Sequence, residues 1–143
     1  MSIITKEVKE QIESDISIDR FNLINESSRT PILLSKYLIL CIDEKKKLRK
    51  LKNKYYFLYK EKRLYYLGQS EDEVYKNNPL DKKVLRQDID IWLNSDSELQ
   101  KLNDLISDQE SVIEFLEKII KEIERRTFTI KNIQEIIKWE SGG

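Results

Sequence analysis

Between residues 32 and 67, apolar side chains recur at alternating intervals of three and four: Leu34, Tyr37, Cys41, Leu48, Leu51, Tyr55, Leu58 and Tyr65. Only Glu44 and Lys62 interrupt the series, and no Pro or Gly lies between Ile32 and Leu67. That spacing predicts one long helix with a heptad seam. A second series, Leu85, Trp92, Leu99, Leu102, Ile106, Ile113, Leu116, Ile120 and Ile123, predicts another long helix. It starts at Leu80 or Asp81 and is interrupted at residues 94–96. Shorter patterns flank the pair. Ile4, Val8 and Ile12 predict an amphipathic helix over residues 3–14, and Asp19 can cap a short second one carrying Phe21, Leu23 and Ile24. Thr30 and Pro31 either open the first long helix or kink one that began near Arg20. Gly68 is placed to end it in a left-handed cap, and residues 69–79 read as a polar loop. After a turn at residues 127–129, residues 130–139 predict a last short helix.

Composition fits this layout. A chain of 143 residues suits a single helical domain over residues 1–143, and 39% hydrophobic with 36% charged residues suits long helices with narrow apolar stripes. Three Gly and two Pro are too few for a sandwich or barrel. The expected fold is all-α: the long helices form an antiparallel hairpin with short helices at the N- and C-terminal ends. The lone Cys41 sits on a seam and reads as a buried thiol in a reducing compartment. The N-terminal residues lack a signal-peptide core and no apolar run reaches membrane-spanning length, so a soluble, intracellular protein without membrane partners is expected.

Charge changes the picture more. The formal net charge is zero, yet residues 36–63 carry eleven basic and three acidic residues, and residues 84–124 carry four basic and eleven acidic. Lys45, Lys46, Lys47, Arg49, Lys50, Lys52 and Lys54 crowd ten positions off the seam, and five of the seven tyrosines follow, at 55, 56, 59, 65 and 66. A solvated lysine-rich face is the ordinary meaning of such a run. Segregated blocks of opposite sign are not needed for solubility, and cations beside rings suit phosphates and stacked bases. Candidate contacts to phosphates and bases are therefore these seven cations with Lys60, Lys62, Arg63 and Tyr65, centred on Lys60, Lys62 and Arg63. A second surplus is apolar: Phe128, Ile130, Ile133, Ile136, Ile137 and Trp139 exceed what a short helix needs to dock on its own chain, and are candidates for an oligomer interface.

The chemistry of catalysis is thin. There is no His, so acid–base work near neutral pH would need a perturbed carboxylate or lysine. One Cys and no His exclude a zinc site, and Gly68 as the only internal Gly excludes a phosphate loop. A binding protein without cofactor or metal is expected rather than an enzyme. Three rivals remain: a coiled-coil scaffold without nucleic-acid affinity, a basic helix for anionic membrane surfaces, and a small hydrolase that works without His.

Three blocks resemble the UvsY family, recombination mediators of T-even-type bacteriophages. The first is Ile18-Asp19 with Ser35-Lys36-Tyr37-Leu38. The second is the basic stretch ending in Lys60, Lys62, Arg63, Tyr65-Tyr66 and Gly68. The third runs from Arg126 through Thr127, Phe128, Thr129, Ile130, Lys131, Asn132 and Ile133 to Gln134, with Thr127 where the family pattern has Gly. The resemblance covers residues 10–70 and 120–143; the acidic helix between matches in character only. It implies single-stranded DNA binding through the basic middle segment, and a homo-oligomeric ring of roughly six or seven subunits assembled through the C-terminal segment. It also implies two protein partners, a RecA-like recombinase and a single-strand-binding protein, no enzymatic activity, and the cytoplasm of an infected host cell.

Overall fold

The computed structural model describes residues 5–142 and is all-helical, with no strand among the described residues. In chain order the helices are α1 (Lys6–Ile16), α2 (Leu23–Tyr66), α3 (Asp72–Asn77), α4 (Ile89–Asn94), α5 (Ser97–Glu124) and α6 (Arg126–Glu140), with a 3-10 turn at Arg86–Asp88. Ile4, which the sequence pattern placed on the first helix, lies outside the described residues. No helix is long and apolar enough to cross a membrane among the described residues.

Several boundaries differ from the sequence expectation. Pro31 lies inside α2, whose 44 residues begin at Leu23, so of the two readings left open the helix that began near Arg20 is the one found, and no separate short helix follows Asp19. Both Pro31 and Ser27, whose carbonyl loses the missing amide, face solvent, where water takes the bond. Asp19 instead turns the chain into α2: its carboxylate accepts from the Phe21 amide at 3.0 Å. At the other end Gly68 has φ 75°. The Gly68 amide donates to Tyr65 and the Gln69 amide to Leu64, at 3.1 and 2.9 Å, a Schellman closure.

Residues 80–85 are not helical, and Leu85, placed on the second seam, is exposed. The interruption expected at residues 94–96 is real. Asp96 caps α5, accepting from the amides of Glu98 and Leu99 at 3.0 Å each. The loop expected over residues 69–79 holds the short α3. The turn expected at residues 127–129 lies earlier, at Arg125, whose backbone stays near helical (φ −79°, ψ −8°), so α5 and α6 run almost into one another. Thr127, at the family's Gly position, is simply an exposed residue in the first turn of α6.

The described residues fall into two compact units. One comprises residues 5–46 and 109–142. Its core is Ile12 from α1, Leu33, Tyr37 and Cys41 from α2, Val112, Ile113, Leu116, Ile119, Ile120 and Ile123 from α5, and Ile130 from α6. Here α2 and α5 are antiparallel: Gln109 meets Glu44, while Arg126, just past α5, meets Thr30. The other unit is Lys47–Asp108, built on Ile89, Leu93 and Leu99 with Tyr55, Leu58, Tyr59, Tyr66, Leu67 and Val84 packed against them.

Both residues that break the seam are matched by polar partners within their own unit. Glu44, only 2% exposed, accepts from the Gln109 side chain at 2.6 Å through its carboxylate and at 2.9 Å through its carbonyl. Lys62 meets Asp96 at 3.3 Å. A buried charge without such partners would cost several kcal/mol.

Candidate nucleic-acid interface

In the Lys47–Asp108 unit, α2 turns one face to the core and the other to solvent, and the cations divide between them. Lys62 is on the inner side: its side chain is only 14% exposed, and it contacts both Asp96 at 3.3 Å and Glu98 at 3.4 Å. Asp96 also accepts from the Tyr66 hydroxyl at 2.6 Å. Burial pushes the Asp96 carboxyl up, but the Tyr66 hydroxyl, the Leu99 amide and the Lys62 ammonium outweigh it and hold it below the usual carboxylate range. The same burial, with the facing carboxylate, drives the Tyr66 hydroxyl well above its ordinary value.

Tyr65 is buried too. Its hydroxyl donates to the Asn78 carbonyl at 3.0 Å and its ring stacks on Tyr75 at 5.4 Å. Tyr75 closes the knot by donating to the Tyr65 carbonyl at 2.7 Å. Of the sequence candidates, Lys62 and Tyr65 are thus engaged in holding the end of α2 to α3 and α5.

The outer side is different. Arg49, Lys50, Lys52, Lys54, Lys60 and Arg63 are exposed and make no ion pair among the described residues. Lys47 is exposed and interacts within the chain. In the other unit, Lys45 pairs with Glu117 at 3.4 Å, both side chains being largely exposed, and Lys46 is open to solvent. At 100° per residue, Arg49, Lys50, Asn53, Tyr56, Phe57, Lys60 and Arg63 share one face opposite the packed seam. None of these seven is acidic, the nearest carboxylate in sequence being the exposed Glu61 at the edge of the face, which spans about 21 Å from Arg49 to Arg63 at 1.5 Å per residue.

Two of its members were not singled out from sequence as contacts. Tyr56 is 67% exposed and Phe57 69%, the only two rings of the Lys47–Asp108 unit exposed to that degree. Their spacing from Arg49, Lys50 and Lys60 at intervals of three, four and seven was the available signal. Uncompensated cations at this density create a positive potential that attracts polyanions. Among the described residues no cluster of acidic, His or Cys side chains is placed to hold a metal.

The C-terminal candidates also divide. Ile130 is buried in its own unit, and Ile133 and Ile137 are half-buried, lining a groove with Ile18 and Ile136. Phe128, Ile136 and Trp139 are exposed, Trp139 at 83%.

The sequence model of a family described as "Recombination, repair and ssDNA binding protein UvsY" matches residues 11–143. Among solved structures, crystal forms of the bacteriophage T4 recombination mediator protein UvsY are similar to this chain. Lattice type II has 20% identity and a TM-score of 0.82 over 97% of this chain and 98% of that one. Lattice type I has 21% identity and a TM-score of 0.82 over 94% and 99%. Lattice type IV has 20% identity and a TM-score of 0.80 over 96% and 99%. At these identities the likeness establishes the fold. No curated protein sequence matches significantly.

Proposed function

We propose, from the premise that this chain belongs to the UvsY family, that it is a recombination mediator. In this reading it binds single-stranded DNA and promotes loading of a RecA-like recombinase onto DNA covered by single-strand-binding protein. The observation that carries the DNA-binding part is the outer face of α2, where Arg49, Lys50, Lys60 and Arg63 make no ion pair among the described residues. Each phosphate such a cation neutralises releases condensed counterions, which drives binding without regard to sequence. Lys52 and Lys54 add to the field from beside that face.

The second part of the proposal is self-association. Phe128, Ile136 and Trp139 leave apolar area uncovered on α6, beside the groove that Ile133 and Ile137 line. A closed homo-oligomer would cover it and array several weak cationic faces. Tethering raises the effective concentration at each later site, so an assembly can hold a strand that one helix releases. A strand held this way is available to the recombinase while its competitor dissociates.

The test uses recombinase and single-strand-binding protein from one phage. Adding this protein is expected to restore DNA-dependent ATP hydrolysis by the recombinase after the competitor has suppressed it. The Arg49/Lys60/Arg63 triple Ala variant should restore less. A protein that binds DNA without any rescue across salt and stoichiometry would be a DNA-binding scaffold instead. Trp139→Ala, at an exposed site, should shift the sedimentation profile to smaller species.

A further inference from the structure

We infer that Tyr56 and Phe57 form an aromatic step on which the bases of a bound single strand stack, with the flanking cations holding its phosphates. The inference deepens the DNA-binding reading above and rests on it. Its ground is the disposition of rings in the Lys47–Asp108 unit. Tyr55 and Tyr59 are half-buried against the Ile89/Leu93/Leu99 core, Tyr65 and Tyr66 are tied by hydroxyl bonds to Asn78 and Asp96, and Tyr75 bonds back to α2. Each of those five rings has a structural role that accounts for its presence. Tyr56 and Phe57 have none: neither hydroxyl nor ring is required by the core, and both project from the solvent face. Tyr55 and Tyr56 meet in a T-shaped arrangement with ring centroids 6.2 Å apart, and Tyr56 is still 67% exposed.

Two adjacent exposed aromatics on a charged helix expose apolar area at a cost unless something covers them. Charge complementarity selects the occupant. Arg49 and Lys50 lie two turns before the rings on the same two lines of the helix, Lys60 lies one turn after, and Arg63 two turns after Tyr56. An apolar protein partner would have to bury these cations without a counterion, whereas a nucleic-acid strand supplies both flat apolar faces and anions at short intervals. Over the roughly 21 Å from Arg49 to Arg63 a stacked strand rising about 3.4 Å per nucleotide places on the order of six phosphates. A duplex cannot use the rings, because its bases are already stacked and inside. The arrangement therefore selects single strands, and selects them without reading sequence, since every base offers a face.

The experiment compares two fluorescent probes of equal length and charge, an oligo(dT) strand and an abasic strand that carries the same phosphates without bases. Both are titrated by anisotropy into the full-length protein, wild type and Tyr56→Ala/Phe57→Ala. Alanine is the better helix former and both sites are exposed, so the fold should tolerate the change. Wild type should prefer oligo(dT) over the abasic strand by about tenfold or more, and the variant should lose that preference while binding the abasic strand unchanged. The salt slope of the variant should equal that of wild type, because no phosphate contact is removed. Tyr56→Phe/Phe57→Tyr should retain the preference. Equal binding of both probes by wild type, or an unchanged preference in the Ala variant, would overturn the inference and leave the cationic reading standing. A variant that loses both probes together, or changes its sedimentation, would also overturn it, since the rings would then act through assembly. If wild type binds neither probe, the DNA-binding reading itself fails.

Discussion

Arg126 and Lys60 are both cations on helices of a charge-rich chain, and they stand at opposite extremes of use. In the unit of residues 5–46 and 109–142, Arg126 is 2% exposed. Its guanidinium donates to the Glu26 carboxylate at 2.6 Å, to the carbonyls of Glu26, Asp15 and Ser17, and to the Thr30 hydroxyl. One side chain so joins the end of α1, the segment after it, α2 and the start of α6. Around it Asp15 accepts from Lys36 and Tyr37, at 2.7 Å each, and Arg29 pairs with Glu26 at 2.8 Å. In the unit of residues 47–108, by contrast, Arg49, Lys50, Lys60 and Arg63 on the outer face of α2 make no ion pair among the described residues, while Lys62 is drawn inward. A cation ringed by acceptors is part of the architecture; one facing solvent with no counterion is available for a ligand. Residue type does not separate the two roles, but burial and partner count do.

Breaking the buried hub should have the largest effect. Arg126→Ala strips Glu26 of its main partner and leaves several inward carbonyls without a donor, at an expected cost of about 3–5 kcal/mol in urea unfolding. A cost under about 1 kcal/mol would mean the site opens to water readily. Asp96→Ala should come next. It removes the α5 cap and the acceptor for both Tyr66 and Lys62, for about 2–3 kcal/mol.

Acid should mimic both changes. Burial pushes the carboxyls of Glu26 and Asp15 up. Hydrogen bonds from Arg126 and Arg29 to Glu26, and from Lys36 and Tyr37 to Asp15, outweigh it, as at Asp96, so all three lie below their ordinary values of 4.5, 3.8 and 3.8. A carboxyl depressed on folding contributes stability that is complete above its unfolded value and is lost as pH falls through its folded one. The melting temperature should therefore hold steady above about pH 5 and fall increasingly below about pH 4. Asp96→Asn should make that fall shallower.

Two neighbouring lysines sharpen the contrast. Lys62→Ala should destabilise by about 1–2 kcal/mol and leave the salt dependence of DNA binding nearly intact. The Arg49/Lys60/Arg63 triple Ala variant should do the reverse, keeping its melting temperature while the slope of log affinity against log salt shrinks by about 2. Exchanged outcomes would show that the inner and outer faces of α2 have been assigned the wrong way round. The smallest effect is expected at Lys45→Ala, whose exposed pair with Glu117 should contribute under about 0.5 kcal/mol.

The all-helical class, the long basic element and the cap at Gly68 were legible in the chain because they depend on local terms: spacing, the absence of Gly and Pro, and backbone freedom at one residue. The break before α5 was legible for the same reason, since Asp96 is a capping residue wherever it folds. The course of α2 through Pro31 was one of two readings the chain left open, because Pro is tolerated both in a first helical turn and, at the loss of one hydrogen bond, inside a helix. The helical start near Ile89 was not legible, because periodicity extends through Leu85 although the backbone does not. For the candidate site, the chain alone announced a cationic helix with rings beside it. Lys62 interrupts the apolar seam, so the spacing already sets it apart from Lys60 and Arg63, although it stands among the candidate contacts. What the chain could not supply is the pair of carboxylates, Asp96 and Glu98, contributed from some thirty residues away, that make Lys62 a structural residue. Tyr65 likewise stands on the seam and Tyr56 off it; the fold adds the partners, the Asn78 carbonyl and a stacked Tyr75, that give Tyr65 its place in the core, while Tyr56 stays 67% exposed.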